Sequence, residues 1–324
     1  MRFKNEGSLE DQNCYRGLGL IGRSWAISFA RAGHEVRLWD ADPAAAGSAL
    51  SYIADILPDL AAHDLLAGAE PSAVMARLRP VSDLADALAD IDYVQENTPE
   101  RLDVKLQVFQ DLDRLAPAKA ILASSTSALL PSSFVEHLPG RACCLISHPI
   151  NPPYLIPAVE VCPSPWTAPD IVARAANFLR GCGQAPLVMK REIDGFIMNR
   201  LQGALLEEAF RLVADDVAGP EDVDIGLRDG LALRWSFMGP FETIDLNAPG
   251  GIRDYAARYQ GIYATIFNSA QRRVDWTGPV MDQIEADRIT RLPRNELDDR
   301  QRWRDSMLMA LLAHKRQVTN TNKQ

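Results

Sequence analysis

Long apolar runs are missing from this chain. No stretch of about 18 uninterrupted apolar residues occurs, so no transmembrane helix is expected. The opening segment Met1-Arg2-Phe3-Lys4-Asn5-Glu6-Gly7-Ser8-Leu9-Glu10 lacks the apolar core of a signal peptide, and the expected location is the cytoplasm. Cysteine is scarce. Cys14, Cys143, Cys144, Cys162 and Cys182 make an odd count, and their spacing fits neither a CxxC metal pair nor a disulfide framework. No metal site is therefore predicted. Adjacent Cys143 and Cys144 suit a buried strand in a reducing compartment. Basic charge is in deficit: 34 Lys and Arg against 43 Asp and Glu give a net −9, which argues against a nucleic-acid partner. Internal repeats and low-complexity tracts are absent too. What remains, 47% hydrophobic and 24% charged, is an ordinary globular composition. A chain of 324 residues has room for two domains.

The first half alternates short apolar runs with helical stretches. Glu35–Trp39, Ile91–Val94, Ala120–Ala123, Cys143–Ile146, Ala158–Cys162 and Leu187–Met189 read as strands. Arg23–Ala32, Pro43–Asp64, Val104–Leu115 and Asp170–Gly181 read as helices, with Pro43 at a helix start. Strands spaced by helices of this length predict βαβ units and an α/β fold, a Rossmann-type doubly wound, mostly parallel sheet. After Lys190 the strands stop. Asn199–Val213, Asp222–Leu231 and Arg302–His314 carry helical spacing, so residues 191–324 are expected to form an all-helical domain behind an α/β domain of residues 1–190.

Gly17-Leu18-Gly19-Leu20-Ile21-Gly22 matches GxGxxG. The first glycine allows a tight turn, the second a close approach of backbone to a pyrophosphate, and the third close packing of helix on strand. The helix from Arg23 would present its N-terminus to the phosphates. Asp40 closes the Glu35–Trp39 strand, where a carboxylate accepts the ribose hydroxyls and repels a 2′-phosphate. Fingerprint, helix, strand and acid in register predict an NAD site. One feature departs from the pattern: Ser8–Arg16 is polar and poor in β-branched residues, so the first strand is expected to be atypical or missing within residues 1–16.

Three further segments carry chemistry: Ser124-Ser125-Thr126-Ser127 after a strand, His148-Pro149-Ile150-Asn151-Pro152-Pro153-Tyr154 after another, and Glu160 in the next. Ligands in open α/β sheets sit at carboxyl ends of strands, so these residues are candidates to converge. A histidine partnered by a carboxylate is a general base held in one tautomer. Ser127 and Asn199 are neutral donors suited to an alcohol or carbonyl oxygen. Each has a plainer reading: a turn for the serines, a structural histidine, a solvated glutamate, a helix cap for Asn199. Spacing alone leaves both open.

From Gly17 to about Val318 the chain resembles the 3-hydroxyacyl-CoA dehydrogenase superfamily, and within it the gulonate-dehydrogenase branch. The resemblance rests on Gly19–Ala26, Ser124–Ser127, His148–Tyr154, Gly195–Gln202, Gly239–Thr243 and Arg302–Asp305. It implies that Ser127 binds the substrate oxygen and that His148 is the base. It further implies that Glu160 orients His148 and that Asn199 hydrogen-bonds substrate in a cleft between the domains. Glu100 and Lys105 match the family's cofactor-contacting Glu and Lys, and Asn151 is assigned to substrate.

The acyl-CoA branch has small residues and no arginine before Gly239-Pro240, where this chain has Leu233-Arg234-Trp235-Ser236-Phe237-Met238. Arg234 is a candidate to pair bidentately with a free carboxylate; a surface arginine is the plainer reading. The function expected is NAD-dependent oxidation of the 3-hydroxyl of a small hydroxy acid such as L-gulonate. A 3-hydroxyacyl-CoA or L-carnitine dehydrogenase is the alternative, Trp235, Phe237 and Tyr154 being aromatics available to a quaternary ammonium. Outside enzymes the alternative is a catalytically impaired, crystallin-like structural or binding protein. Relatives imply a homodimer, with Arg302–Asp305 and the helix through Leu312 as candidate interface.

Overall fold

The computed structural model describes residues 12–321. Eight strands form one sheet: β1 (Gln12–Arg16), β2 (Glu35–Trp39), β3 (Leu78–Pro80), β4 (Tyr93–Glu96), β5 (Ile121–Ser124), β6 (Cys144–Pro149), β7 (Ala158–Pro163) and β8 (Ala185–Val188). Their order is β3-β2-β1-β4-β5-β6-β7-β8. Every neighbouring pair is parallel except β6 with β7. The chain winds outward from β1 in both directions, so β1 and β4 flank the switch point where such sheets bind ligands. The expected doubly wound sheet is present.

Alternation along the strands feeds two cores. Tyr93, Ile121, Ala123, Leu145 and Val159 pack with Trp25 and Phe29 of α1 (Leu20–Arg31) and with Ile53 and Leu57 of α2 (Ala45–Ala62). Val94, Leu122, Cys144, Ile146 and Cys162 pack with Val108, Phe109 and Leu112 of the helix Leu102–Leu115. Burial on both faces is why these strands read as continuous apolar runs.

The structure departs from the sequence reading in places with physical causes. β1 forms despite its polar sequence, laddered in parallel to β2 and β4, because main-chain pairing does not depend on side-chain type. Residues 1–11 of the atypical segment lie outside the described residues. β3 escaped notice because it is a three-residue edge strand ending in proline, which an edge tolerates. α2 starts at Ala45 rather than Pro43, since Asp42 Oδ1 accepts the Ala44 N–H at 2.9 Å and folds Asp42–Ala44 into a turn. β6 runs on through Pro149, so His148 lies within a strand rather than after one.

The chain divides into two units, one comprising residues up to Met198 and from Arg302 onward, the other Asn199–Gln301. Within the second, helix Met198–Ala214 holds the turn before Asp275 through Arg211, which donates to the carbonyls of Ala270 and Arg272 at 2.9 and 3.0 Å. Phe210 stacks on Trp276 with centroids 4.7 Å apart. The last helix, Leu297–Thr321, returns to the first unit from Arg302 onward. Met309 there is 2% exposed in the core that holds Trp25 and Phe29, and Arg316 donates to the Asp64 carbonyl at 3.0 Å. The Arg302–Leu312 segment therefore packs intramolecularly on the α/β unit. No described helix is long and apolar enough to cross a membrane.

Truncating Met309 to alanine leaves a cavity in that core. The expected loss is about 2–4 kcal/mol, measured by denaturant unfolding of the α/β unit.

Candidate active site

The loop between β1 and α1 is shaped by its glycines. Gly17 has φ +94°, and a Cβ there would lie 2.6 Å from the Asn97 carbonyl oxygen. A Cβ on Gly22 would lie 1.9 Å from the Gly17 carbonyl oxygen, so helix and loop touch directly. Gly19 differs: its Cβ position is open, with nothing within 4 Å. α1 begins there with no side-chain cap and no acid in its first turn, and Leu20 and Ile21 are partly exposed. Unclaimed N–H groups around an open space are the donor set a pyrophosphate uses. Asp40 Oδ2 accepts the Leu18 N–H at 2.7 Å and pins the loop to the end of β2. The cradle fits a dinucleotide.

Polar residues interrupt the core at the carboxyl ends of β4, β5 and β6. Glu96 pairs in register with Ser124 and is fully buried. Its carboxylate accepts Ser124 Oγ–H at 2.6 Å, the Thr98 N–H, and the ammonium of Lys105 at 2.8 and 2.9 Å. Lys105 is 1% exposed and spends its third donor on the Thr98 carbonyl at 3.0 Å. An ammonium has three donors, so Lys105 turns its charge inward and fixes the Asn97–Thr98 turn under the glycine loop. Breaking such a buried pair costs about 3–5 kcal/mol. Glu96 was missed in the sequence; the signal was an acid closing an apolar strand.

Glu100 grips the loop after β5. It accepts the Thr126 hydroxyl and the N–H groups of Ser127, Ala128 and Leu129, the last three at 3.1–3.2 Å. Partial burial pushes its carboxyl upward, but these four hydrogen bonds outweigh that and hold it below the usual carboxylate range. Glu100 thereby sets the position of Ser127, which is half-buried.

The antiparallel register sets His148 directly opposite Glu160. His148 Nδ1 lies 2.7 Å from Glu160 Oε2. Glu160 is buried, and its Oε1 accepts the N–H groups of Ile197 and Met198 at 2.6 and 2.8 Å. Nδ1 then carries the hydrogen, which leaves the Nε2 lone pair available. His148 is 7% exposed, and its ring packs on the buried Phe196, centroids 5.6 Å apart.

Gly17, Gly19, Leu20, Ile21 and Gly22 are thus gathered at one strand-to-helix turn with Asp40 bonded to it, and His148 with Glu160 in one dyad. Asn151 follows in the β6–β7 loop, where its buried Oδ1 has no partner. Asn199 is the second residue of the helix Met198–Ala214, and Arg234 lies in the short helix Ala232–Trp235; both belong to the second unit. Arg234 Nε is sheltered and unbonded.

Residues 16–193 match the NAD-binding domain of 3-hydroxyacyl-CoA dehydrogenase, and residues 195–277 match its C-terminal domain. Lambda-crystallin of Oryctolagus cuniculus is 36% identical over 305 residues, 93% of this chain and 95% of that one. L-Carnitine dehydrogenase of a Pseudomonas species is 35% identical over 297 residues, 91% of each. A solved structure, the NAD+-dependent 5-formyl-3-hydroxy-2-methylpyridine 4-carboxylic acid 5-dehydrogenase, superposes with TM-score 0.79 at 28% identity, covering 93% and 96% of the two chains. The chain belongs to the 3-hydroxyacyl-CoA dehydrogenase family. It is an NAD-dependent oxidoreductase acting on CH–OH groups.

Two glycine variants separate cradle from scaffold. Gly19→Ala is expected to keep the wild-type melting temperature and weaken NADH binding at least about tenfold, because its methyl enters the open cradle. Gly22→Ala is expected to lower the melting temperature, since its methyl meets backbone. Glu100 adds a pH signature. Its folded pKa is depressed, so its hold on the Ser127 loop is full above the ordinary carboxylate range and is lost as pH falls through the folded value. Wild-type KM is expected to rise over that acid window, while Glu100→Gln shows a raised KM without the acid step.

Proposed function

We propose that this enzyme oxidises the 3-hydroxyl of a small free hydroxy acid, L-gulonate being the favoured substrate, with His148 as general base. The observation that carries the reading is the His148–Glu160 dyad, whose free Nε2 is the atom suited to accept a hydroxyl proton. When bound, NAD supplies the hydride acceptor. His148 takes the proton, and Glu160 keeps the tautomer and stabilises the charge that forms on the ring. The N–H groups of Ile197 and Met198 hold the other Glu160 oxygen in place. Ser127, on the loop that Glu100 holds, is assigned to the substrate oxygen, and Asn199 to a further hydrogen bond. Asn151 is assigned to ligand through its unpartnered Oδ1. Lys105 is assigned to cofactor binding through the turn it braces.

For substrate class, the sheltered and unbonded Nε of Arg234 supports pairing with a free carboxylate. An acyl-CoA offers no such group at its thioester end. The likeness to L-carnitine dehydrogenases keeps carnitine, also a free 3-hydroxy acid, as the second reading. The reading also makes the enzyme a cytoplasmic homodimer. Cys143, Cys144, Cys162 and Cys182, free among the described residues, support a reducing compartment. Phe237 and Phe241, 68% and 75% exposed on the second unit, and Trp303 and Met307, 48% and 53% exposed on the last helix, support a partner subunit.

Initial rates with L-gulonate, L-carnitine and 3-hydroxybutyryl-CoA test the reading. The expected ranking by kcat/KM puts L-gulonate first; preference for the thioester overturns it. His148→Asn is expected to lower kcat by about 10²–10⁴-fold with NADH affinity unchanged. Arg234→Met is expected to raise KM for the hydroxy acid, and an unchanged KM removes the assigned carboxylate contact.

A further inference from the structure

β5 accompanies β6 as far as Ser124 opposite Ile146, while β6 runs on to Pro149 beside β7. His148 therefore stands on a segment laddered to β7 on one flank, with the end of β5 on the other. Side chains take over on that second flank. Gln95 of β4 reaches across the end of β5, where its Nε2 donates to the Ser147 carbonyl at 3.3 Å and to Ser125 Oγ at 2.7 Å. The Tyr93 hydroxyl lies 2.9 Å from both Gln95 Oε1 and Ser147 Oγ. A phenol has one proton and an amide oxygen only accepts, so Tyr93 donates to Gln95 and Ser147 donates to Tyr93. Tyr93, Gln95 and Ser147 are all fully buried.

The same network ends beneath the dinucleotide loop. Asn97 Nδ2 donates to the Gln95 main-chain carbonyl at 3.0 Å, which leaves Asn97 Oδ1 to accept from Ser125 Oγ at 2.7 Å. Ser125 Oγ also accepts from Trp25 Nε1 at 3.0 Å. With Gln95 Nε2 that makes one bond donated and two accepted, the whole capacity of a hydroxyl. A main-chain carbonyl thus orients Asn97, Asn97 orients Ser125, and Ser125 orients the Gln95 amide. Asn97 is the residue on which the glycines close. Its carbonyl oxygen lies 2.6 Å from the Cβ position of Gly17, and its Nδ2 3.3 Å from that of Gly22. Gln95 therefore bonds the strand that carries His148 to the residue that supports the loop. A buried polar network whose members are satisfied holds one geometry.

We propose that Gln95 is a positioning residue for the oxidation. Its amide sets the spacing between the dinucleotide loop and His148, so that the hydride acceptor and the base meet the substrate in one alignment. At 0% exposure it acts through Ser147 and Asn97 and not by touching the reactants. The inference rests on the reading of His148 as the base.

Gln95→Met keeps the length of the side chain and removes its donors. The test is single-turnover formation of NADH, with whichever of L-gulonate, L-carnitine and 3-hydroxybutyryl-CoA turns over fastest. The rate constant is expected to fall at least about tenfold, with NADH affinity near the wild-type value. A purely structural loss would act differently: an unfolded fraction lowers the amplitude and leaves the rate constant unchanged. Ser125→Ala and Tyr93→Phe cut one link each and keep the test open if Gln95→Met does not fold. Because both act on one unit, the double variant is expected to lose less than the product of the single losses. An unchanged rate constant in Gln95→Met beside an impaired His148→Asn overturns the inference alone, and so do losses that simply multiply. Full activity in His148→Asn removes the base reading, and the inference with it.

Discussion

The antiparallel pairing of β6 with β7 is the constraint on which the site depends. Parallel neighbours need a long crossover connection, whereas these two strands are joined by a short proline-rich loop. The hairpin turns the chain back so that Glu160 faces His148 across one ladder step. A slip of one residue would send Glu160 to the opposite face of the sheet and leave the histidine beside Val159 or Val161. The same carboxylate also receives the two N–H groups of Ile197 and Met198, so one buried group orders both the base and the start of the helix Met198–Ala214. Gly195 and Phe196 just before them have φ of +75° and +48°, an arrangement that aims those N–H groups at Glu160 and seats the Phe196 ring on His148.

Three acidic residues in the first unit act as internal fasteners. Asp40 ties the glycine loop to β2, Glu96 ties Lys105 to the turn beneath it, and Glu100 ties the Ser127 loop. Each takes backbone N–H groups that the ends of strands leave unsatisfied. The first turn of α1 has no side-chain cap and no acid, which suits an anionic dinucleotide in a protein of net charge −9.

Much of this was legible in the sequence because the relevant signals are local. The fingerprint needs glycine at fixed offsets, and the structure gives Gly17 and Gly22 steric reasons while leaving Gly19 facing open space. Apolar runs located six of the eight strands, with ends displaced by one to three residues where polar residues such as Glu96 and His148 continue a strand into the site. Long-range facts were not legible. Nothing in local spacing shows that Glu96 meets Lys105, that β7 runs antiparallel, or that Arg302 onward packs with the first unit. β1 was obscured for another reason: its place in the sheet comes from main-chain pairing with two neighbours, not from a hydrophobic pattern.

The return of the last helix gives the chain an order of completion. The α/β unit is interrupted by the whole of Asn199–Gln301, and Met309 closes its core only from the far side of that insertion. Domains generally fold as units while the chain emerges from the ribosome. Here the N-terminal unit must wait for residues translated after the whole of that insertion, with the surface that receives Met309 uncovered until then. The helical unit, encoded later but continuous, is free to finish first.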